Sequence, residues 1–202
     1  ELFSKKYFDE GIDEIIFQDV VASLYKRNQL SVLTNKISNN VFVPITVGGG
    51  IRNINDIKEI LVNGADRVSI NTAAIHDKKF LINAVKVFGS STICITIETL
   101  KINNSYKIYT DSGRTETNID TFEWIKEVQD LGVGEIILTS INNEGTGKGF
   151  DLEQRGLSWG GIITIERKNV HSKIKMDAFI CRNSTYEGDD NDAYATEAGH
   201  RI

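Results

Sequence analysis

Two segments of small residues have the composition of anion-binding loops. The first is TVGGGIR at residues 46–52, whose glycines permit a positive φ and a close backbone approach. The second is SINTAA at residues 69–74, where small side chains leave backbone N–H groups accessible. The helix that follows the first segment is expected to offer free N–H groups and the positive end of its dipole, which together bind phosphate well. A single loop of this kind is also typical of an ordinary tight turn, but two such loops together favour a phosphate site.

Three carboxylates stand where acid–base chemistry would need them, directly after or shortly beyond apolar runs. Asp19 ends one run, where it would face a pocket or cap a helix. Glu98 ends another, and a partly desolvated carboxylate in that position suits proton transfer. Glu144 lies in a loop of hydroxyl and glycine residues that lacks the spacing of a Walker loop.

Regular alternation of helices and strands must position these residues. The pattern predicts helices near residues 2–9, 29–38, 55–63, 78–88 and 120–131, and strands near residues 14–19, 42–47, 67–71, 93–98 and 135–140. The strand runs are apolar with little alternation, which is typical of parallel strands covered on both faces. A hairpin is expected between residues 99–102 and 106–110, with a turn near residues 111–114. Beyond residue 151 only two possible strands remain, near 161–165 and 173–181.

This alternation predicts an α/β fold with a parallel sheet, either a barrel or an open doubly wound sheet. No G-x-G-x-x-G follows a first strand, so dinucleotide binding loses its main support. An internal repeat favours the barrel, because GIDEII at residues 11–16 recurs as GVGEII at residues 132–137. That offset of about 120 residues is roughly four βα units of a (β/α)8 TIM-type barrel. In such a barrel, ligands bind at the carboxyl ends of the strands.

Composition narrows the possible classes. The 202 residues carry a formal net charge of −5 and show no dense basic stripe, which argues against nucleic-acid binding. No apolar run approaches the roughly 20 residues of a membrane span. Two cysteines cannot form a disulfide framework, so a cytoplasmic location is expected. Three scattered histidines form no metal set, and neither a metal nor another cofactor is expected. The first residue is Glu1 and not Met, which suggests a piece of a longer chain.

Four segments together resemble the cyclase subunit of imidazole glycerol phosphate synthase. They are DEIIFQD at residues 13–19, residues 46–52, residues 68–74, and LTSI at 138–141 with EGT at 144–146. The SINTAA segment is the most specific, and it favours the cyclase over the sister isomerase barrel. The resemblance implies a barrel of duplicated half-barrels and a glutaminase partner subunit that supplies ammonia. It also implies that a bis-phosphate ribonucleotide is converted into imidazole glycerol phosphate and an aminoimidazole carboxamide ribotide.

The resemblance also implies roles for individual residues. It assigns a substrate phosphate to five positions: Gly49, Gly50, Asn71, Thr72 and Gly145. It assigns catalysis to three carboxylates: Glu98, Asp19 and Glu144. It assigns an ammonia gate at the start of the strands to Glu14, Arg67 and Glu135, although charged residues at these positions could also be ordinary solvated strand starts.

Several positions depart from the family pattern. The family's first strand and its catalytic Asp are not recognisable, so residues 1–151 are expected to form strands two to six of an incomplete barrel. Glu98 replaces an Asp, and Asn142 and Glu144 stand where the family has two Asp. Residues 152–202 are expected to be atypical, out of frame or foreign.

Three functional hypotheses follow from these departures. The first is the cyclase-lyase of histidine biosynthesis, with weak or no catalysis by these 202 residues alone, because one member of the acid–base pair is not recognised. The second is a paralogue that delivers ammonia to a sugar acceptor in surface-polysaccharide synthesis. The third is an inactive fragment that binds only phosphate or a partner chain.

Overall fold

The computed structural model describes residues 2–19 and 30–144, together with the backbone of two later strands. Its helices are α1 (Leu2–Asp9), α2 (Leu30–Ser38), α3 (Ile54–Val62), α4 (Thr72–His76), α5 (Lys78–Phe88) and α6 (Thr121–Asp130). Its strands are β1 (Ile15–Gln18), β2 (Ile45–Gly48), β3 (Arg67–Ile70), β4 (Ile93–Ile102), β5 (Ser105–Thr110), β6 (Thr115–Asp120), β7 (Glu135–Ser140), β8 (Ile162–Arg167) and β9 (Met176–Ile180). In the part described, no helix is long and apolar enough to cross a membrane.

The chain divides into two compact units, and the first comprises residues 1–95 and 131–133. Its strands β1, β2, β3 and the first residues of β4 pair in that order, and every pairing is parallel. Strand β2 is buried along its whole length, as expected for a parallel strand covered on both faces. Helices cover the sheet through apolar side chains that recur at helical spacing, such as Ile57 and Ile60 of α3.

The second unit comprises residues 96–130 and 134–202. Here the later part of β4 pairs with β5 as an antiparallel hairpin, and β5 pairs in turn with β6. Strand β7 is fully buried and pairs in parallel with β8, which pairs antiparallel with β9. The core around α6 includes Trp124 and Val128, both almost inaccessible to solvent.

Side-chain caps define where the helices begin. The Asp77 carboxylate accepts hydrogen bonds from the amides of Lys79 and Phe80 at 2.9 and 3.1 Å, which starts α5. Asp120 is the N-cap of α6, because its carboxylate accepts a hydrogen bond from the Phe122 amide at 2.9 Å. These caps agree with the predicted starts of both helices to within one residue.

The structure confirms the predicted alternation and extends it. All five predicted helices and all five predicted strands are present, and the predicted β4–β5 hairpin pairs from Glu98 opposite Tyr109 to Ile102 opposite Ser105. The short helix α4 and strand β6 were not predicted. Strand β6 escapes prediction because its residues are mostly polar and incompletely buried, so they carry no strand periodicity.

The internal repeat corresponds to one local structure that occurs twice. Gly11 and Gly132 precede β1 and β7, and both have a left-handed backbone, with φ of +87° and +85°. Each repeat therefore places a left-handed glycine shortly before a strand, as expected if the chain arose from duplicated half-barrels. The predicted boundary at residue 151 stays a prediction, since most of residues 152–202 lie outside the described part of the chain.

Candidate active site

The two small-residue loops lie side by side in the first unit. Strands β2 and β3 are parallel neighbours, and their register places Gly48 opposite Ser69. The segment after Gly48 and the segment after Ile70 therefore leave the sheet at adjacent carboxyl ends, as the sequence predicted. This is the edge at which parallel α/β folds bind their ligands.

The glycine loop makes a close contact with Asp19. The amide of Asp19 donates to the carbonyl of Gly48 at 2.9 Å, which continues the β1–β2 pairing by one residue. Gly49 has φ of +104°, and a Cβ atom on it would lie 2.3 Å from the carbonyl oxygen of Asp19. Only glycine satisfies both conditions, so the absence of a side chain at Gly49 lets its backbone approach that of Asp19 closely.

Replacing Gly49 by Ala should therefore destabilise the first unit. The left-handed backbone alone costs about 1–2 kcal/mol for an L-residue, and the overlap with Asp19 adds to that. Urea denaturation at neutral pH measures the loss. The matched control is Gly11→Ala, where φ is similar but no atom lies within 4 Å of the added Cβ. If both variants lost the same free energy of unfolding, the overlap between Asp19 and the added Cβ at residue 49 would make no contribution to stability.

Most N–H groups at the start of the helix after the glycine loop already have acceptors within the chain, and this corrects the sequence-based expectation that they are free. The side chain of Asn53 accepts the amides of Asn55 and Asp56 at 2.9 and 3.0 Å. The Asp56 carboxylate in turn accepts the amides of Arg52 and Asn53 at 2.8 and 3.3 Å, which completes a capping box. An anion at this loop would therefore meet the amides of the glycine segment and not the capped amides of Asn55 and Asp56.

The amides of Gly49, Gly50 and Ile51 are the candidates for binding a ligand at the glycine loop, although Ile51 itself is a buried core residue. No described residue accepts a hydrogen bond from any of them. The space beneath the loop is a cavity of about 20 Å³, lined on one side by α2 and on the other by Asp56 and Glu59 of α3. Because that volume holds about one water molecule, a phosphate group would bind outside it.

Asn71 and Thr72 occupy the start of α4, next to the glycine loop. The carbonyl of Asn71 accepts the amides of Ala74 and Ile75 at 2.9 and 3.3 Å, while its side chain makes no capping hydrogen bond to this helix. Asn71 and Thr72 are both half-buried, as is Gly50. Small residues thus fold the SINTAA segment into one short turn of helix directly after β3.

Two of the three predicted gate residues form an ion pair at the opposite end of the same strands. Glu14 precedes β1, and its side chain is 1% exposed. Its Oε1 accepts from Arg67 Nη1 at 2.8 Å and from Thr46 Oγ1 at 2.9 Å. Its Oε2 is buried, and no described residue donates to it. Thr46 was not predicted here, although a hydroxyl residue within the buried run of β2 was a usable signal.

Glu98 lies on β4 in the second unit, where the hairpin surrounds it. Its Oε2 accepts the backbone amide of Gly113 at 3.1 Å, in the turn between β5 and β6. Tyr109 stands opposite Glu98 in the β4–β5 register and opposite Glu116 in the β5–β6 register. Limited hydration, followed by the Glu116 carboxylate that accepts its hydroxyl at 3.3 Å, raises the pKa of Tyr109 above 10.0.

The turn after β7 is fastened to the extended part of β4. The Ile141 amide donates to the carbonyl of Thr99 at 2.8 Å, and the Lys101 amide donates to Asn142 Oδ1 at 2.8 Å. Glu144 follows, and its amide donates to the carbonyl of Ser140 at 2.8 Å. The Asn142 side chain therefore makes a structural contact with β4.

The predicted residues fall into separate groups. The first unit brings Asp19 to Gly49 and Glu14 to Arg67, while Glu98, Glu135 and Glu144 belong to the second unit. Gly145 lies outside the described residues. Among the described side chains, no group of three His, Cys, Asp or Glu residues is arranged to hold a metal ion. Sequence reasoning missed Gly113 as the partner of Glu98, because a DSG turn indicates only a turn.

The comparisons with known proteins agree with this arrangement. The family described as "Histidine biosynthesis protein" matches residues 2–158. The HisF subunit of imidazole glycerol phosphate synthase from Sulfurisphaera tokodaii is 45% identical over 74% of this chain and 60% of its own length. The HisF subunits of Legionella pneumophila and Campylobacter concisus are 45% and 44% identical, over 72% and 60% of their lengths.

The chain thus spans about 60% of the length of the first of these relatives. The matched region contains both small-residue loops, the Glu14–Arg67 pair, Glu98 and the turn after β7. On this evidence the chain belongs to the histidine-biosynthesis protein family, and the relatives named here are HisF subunits of imidazole glycerol phosphate synthase.

Proposed function

We propose that the chain acts as the cyclase subunit of imidazole glycerol phosphate synthase. It would join ammonia to a bis-phosphate ribonucleotide and release imidazole glycerol phosphate and an aminoimidazole carboxamide ribotide. The observation that carries the proposal is the pair of small-residue loops at adjacent carboxyl ends of β2 and β3. Two such loops would hold one phosphate of the substrate through backbone amides, as phosphate-binding loops generally do.

The phosphate contacts divide between the two loops. Gly49 and Gly50 would provide N–H donors from the first loop, and Asn71 and Thr72 would provide donors from the second. The family resemblance assigns Gly145 to the same phosphate. The position of Gly49 against Asp19 supports this, because the contact fixes where the glycine loop turns away from the sheet.

Ammonia would enter at the other end of the strands. Glu14, Arg67 and Thr46 form a hydrogen-bonded group there, and the buried Oε2 of Glu14 can accept a hydrogen bond from a small donor such as ammonia. Glu135 would complete this gate. A glutaminase subunit would supply the ammonia, since the relatives are named as subunits of a synthase, and the complex would work in the cytoplasm.

Proton transfer would fall to Glu98, Asp19 and Glu144. Glu98 is best supported, because it is half-buried and hydrogen-bonded to the backbone of Gly113. Its extra methylene, compared with the Asp of the family, could move the carboxylate by about 1 Å, a displacement that can cost about a hundredfold in rate. Slow turnover is therefore expected.

A turnover assay of the full-length chain tests the proposal. The ribonucleotide and an ammonium salt at alkaline pH should yield imidazole glycerol phosphate, and a glutaminase subunit with glutamine should replace the salt. Absence of both products under both conditions would contradict the proposal. The remaining hypothesis would then be an inactive fragment that binds only phosphate or a partner chain.

A second candidate is a paralogue that delivers ammonia to a sugar acceptor. Glu98 in place of Asp, and Asn142 engaged by the Lys101 amide, favour it because both change the groups that would meet the acceptor. The same assay separates the two functions. Consumption of an amino-sugar precursor, with no turnover of the ribonucleotide, would select the paralogue.

A further inference from the structure

We propose that the backbone amide of Gly113 is a positioning group for Glu98, so that the turn between β5 and β6 orients the carboxylate for proton transfer. The inference rests on the role proposed for Glu98. It gives the antiparallel strands β4, β5 and β6 the function of orienting Glu98. This function is separate from the phosphate binding proposed for the glycine loop.

The contact itself is direct. The Gly113 amide lies 3.1 Å from Glu98 Oε2, across 15 residues of chain. A hydrogen bond from a backbone amide to a carboxylate is charge-assisted. It therefore restrains the side-chain torsions of Glu98 more strongly than a hydrogen bond between neutral groups would. Because Glu98 has one more rotatable bond than Asp, it gains more from such a restraint.

The turn that carries this amide has an unusual backbone conformation. Asp111, Ser112 and Gly113 have φ of 54°, 60° and 76°, so three successive residues are left-handed. The Arg114 amide donates to the carbonyl of Thr110 at 3.1 Å and closes the turn. Two non-glycine residues rarely adopt this conformation together. Strain of this kind persists where the surrounding structure enforces it, and it concentrates at functional sites.

The turn between β5 and β6 is held in place by the turn after β7, which is itself hydrogen-bonded to β4. A Cβ atom on Gly113 would lie 3.3 Å from Cδ1 of Ile141, so Gly113 packs against the turn after β7. That turn is itself fastened to β4 by the Ile141–Thr99 and Lys101–Asn142 hydrogen bonds. The same network therefore positions the amide of Gly113 and the strand that carries Glu98.

The first test needs no catalytic activity. In ¹⁵N-glycine-labelled protein, the Gly113 amide proton should change its chemical shift over the pH range in which the ¹³C-labelled Glu98 carboxyl titrates. Glu98→Gln should abolish that change. If the chemical shift of the Gly113 amide proton stayed constant while Glu98 titrated, the proposal would be overturned even in an active enzyme. If the Gly113 amide shifted with the titration of Glu98 but no turnover were seen, the result would contradict the proposed function and leave the positioning contact in place.

The second test separates positioning from general destabilisation. Gly113→Ala should lower kcat about tenfold with little change in KM, because a left-handed Ala is strained and the turn then shifts its amide away from Glu98. Gly113→Asn should retain most of the activity, since Asn tolerates that region. Gly89→Ala is the matched control, with φ of 88° and no atom within 4 Å of the added Cβ. An equal fall of kcat in Gly89→Ala and Gly113→Ala would contradict the inference.

Discussion

Replacing Glu98 by Gln is expected to lower kcat by about 10²–10⁴-fold, the range that a positioned general acid or base contributes. Gln has the shape of Glu and can still accept the Gly113 hydrogen bond, so the hairpin should keep its structure. What the variant loses is the ability to take up and release a proton, because a carboxamide does not ionise near neutral pH. Steady-state kinetics with saturating ammonium salt give kcat directly, and KM for the ribonucleotide should change little.

Glu116→Gln is the matched control on the same hairpin. Glu116 lies on β6, is exposed, and accepts the hydroxyl of Tyr109. Removing its charge should leave kcat unchanged within about twofold, as for a surface substitution away from the site. If Glu98→Gln kept as much activity as Glu116→Gln, Glu98 would not be the proton-transfer group.

Replacing Arg67 by Met is expected to lower the free energy of unfolding by about 3–5 kcal/mol, the usual cost of removing one partner of a buried ion pair. Glu14 would keep a buried charge supported only by the hydroxyl of Thr46, because its side chain is 1% exposed. Urea denaturation at pH 7 measures the loss.

The double variant Glu14→Met with Arg67→Met provides the control. With both charges removed, apolar side chains of similar volume occupy the same position, and such replacements are often neutral. Most of the lost stability should therefore return. If the single and double variants were equally unstable, the Glu14–Arg67 contact would not explain the loss.

Much of the fold could be predicted from the sequence because local signals were strong. The apolar run before Gly48 and the run before Asn71 are buried parallel strands, as their lack of alternation indicated. Asp77 and Gly89 frame α5 within the predicted limits. The adjacency of the two small-residue loops also followed, since consecutive βα units place their strands side by side.

The contacts that refine the site could not be predicted, because each joins segments far apart in the chain. Thr46 reaches Glu14 across 32 residues, and Gly113 reaches Glu98 across 15. The error at the start of α3 has a different origin. Asn53 and Asp56 have the spacing of a capping box, and this local signal competes with an anion for the same N–H groups.

The most direct test of the central claim is an amide NMR titration of the ¹⁵N-labelled chain with imidazole glycerol phosphate. We predict saturable shifts of the amides of Gly50, Asn71 and Thr72 together, and no such shifts with the unphosphorylated imidazole glycerol. Shifts at the capped amides of Asn55 and Asp56 in place of these three, or at only one of the two loops, would contradict the account.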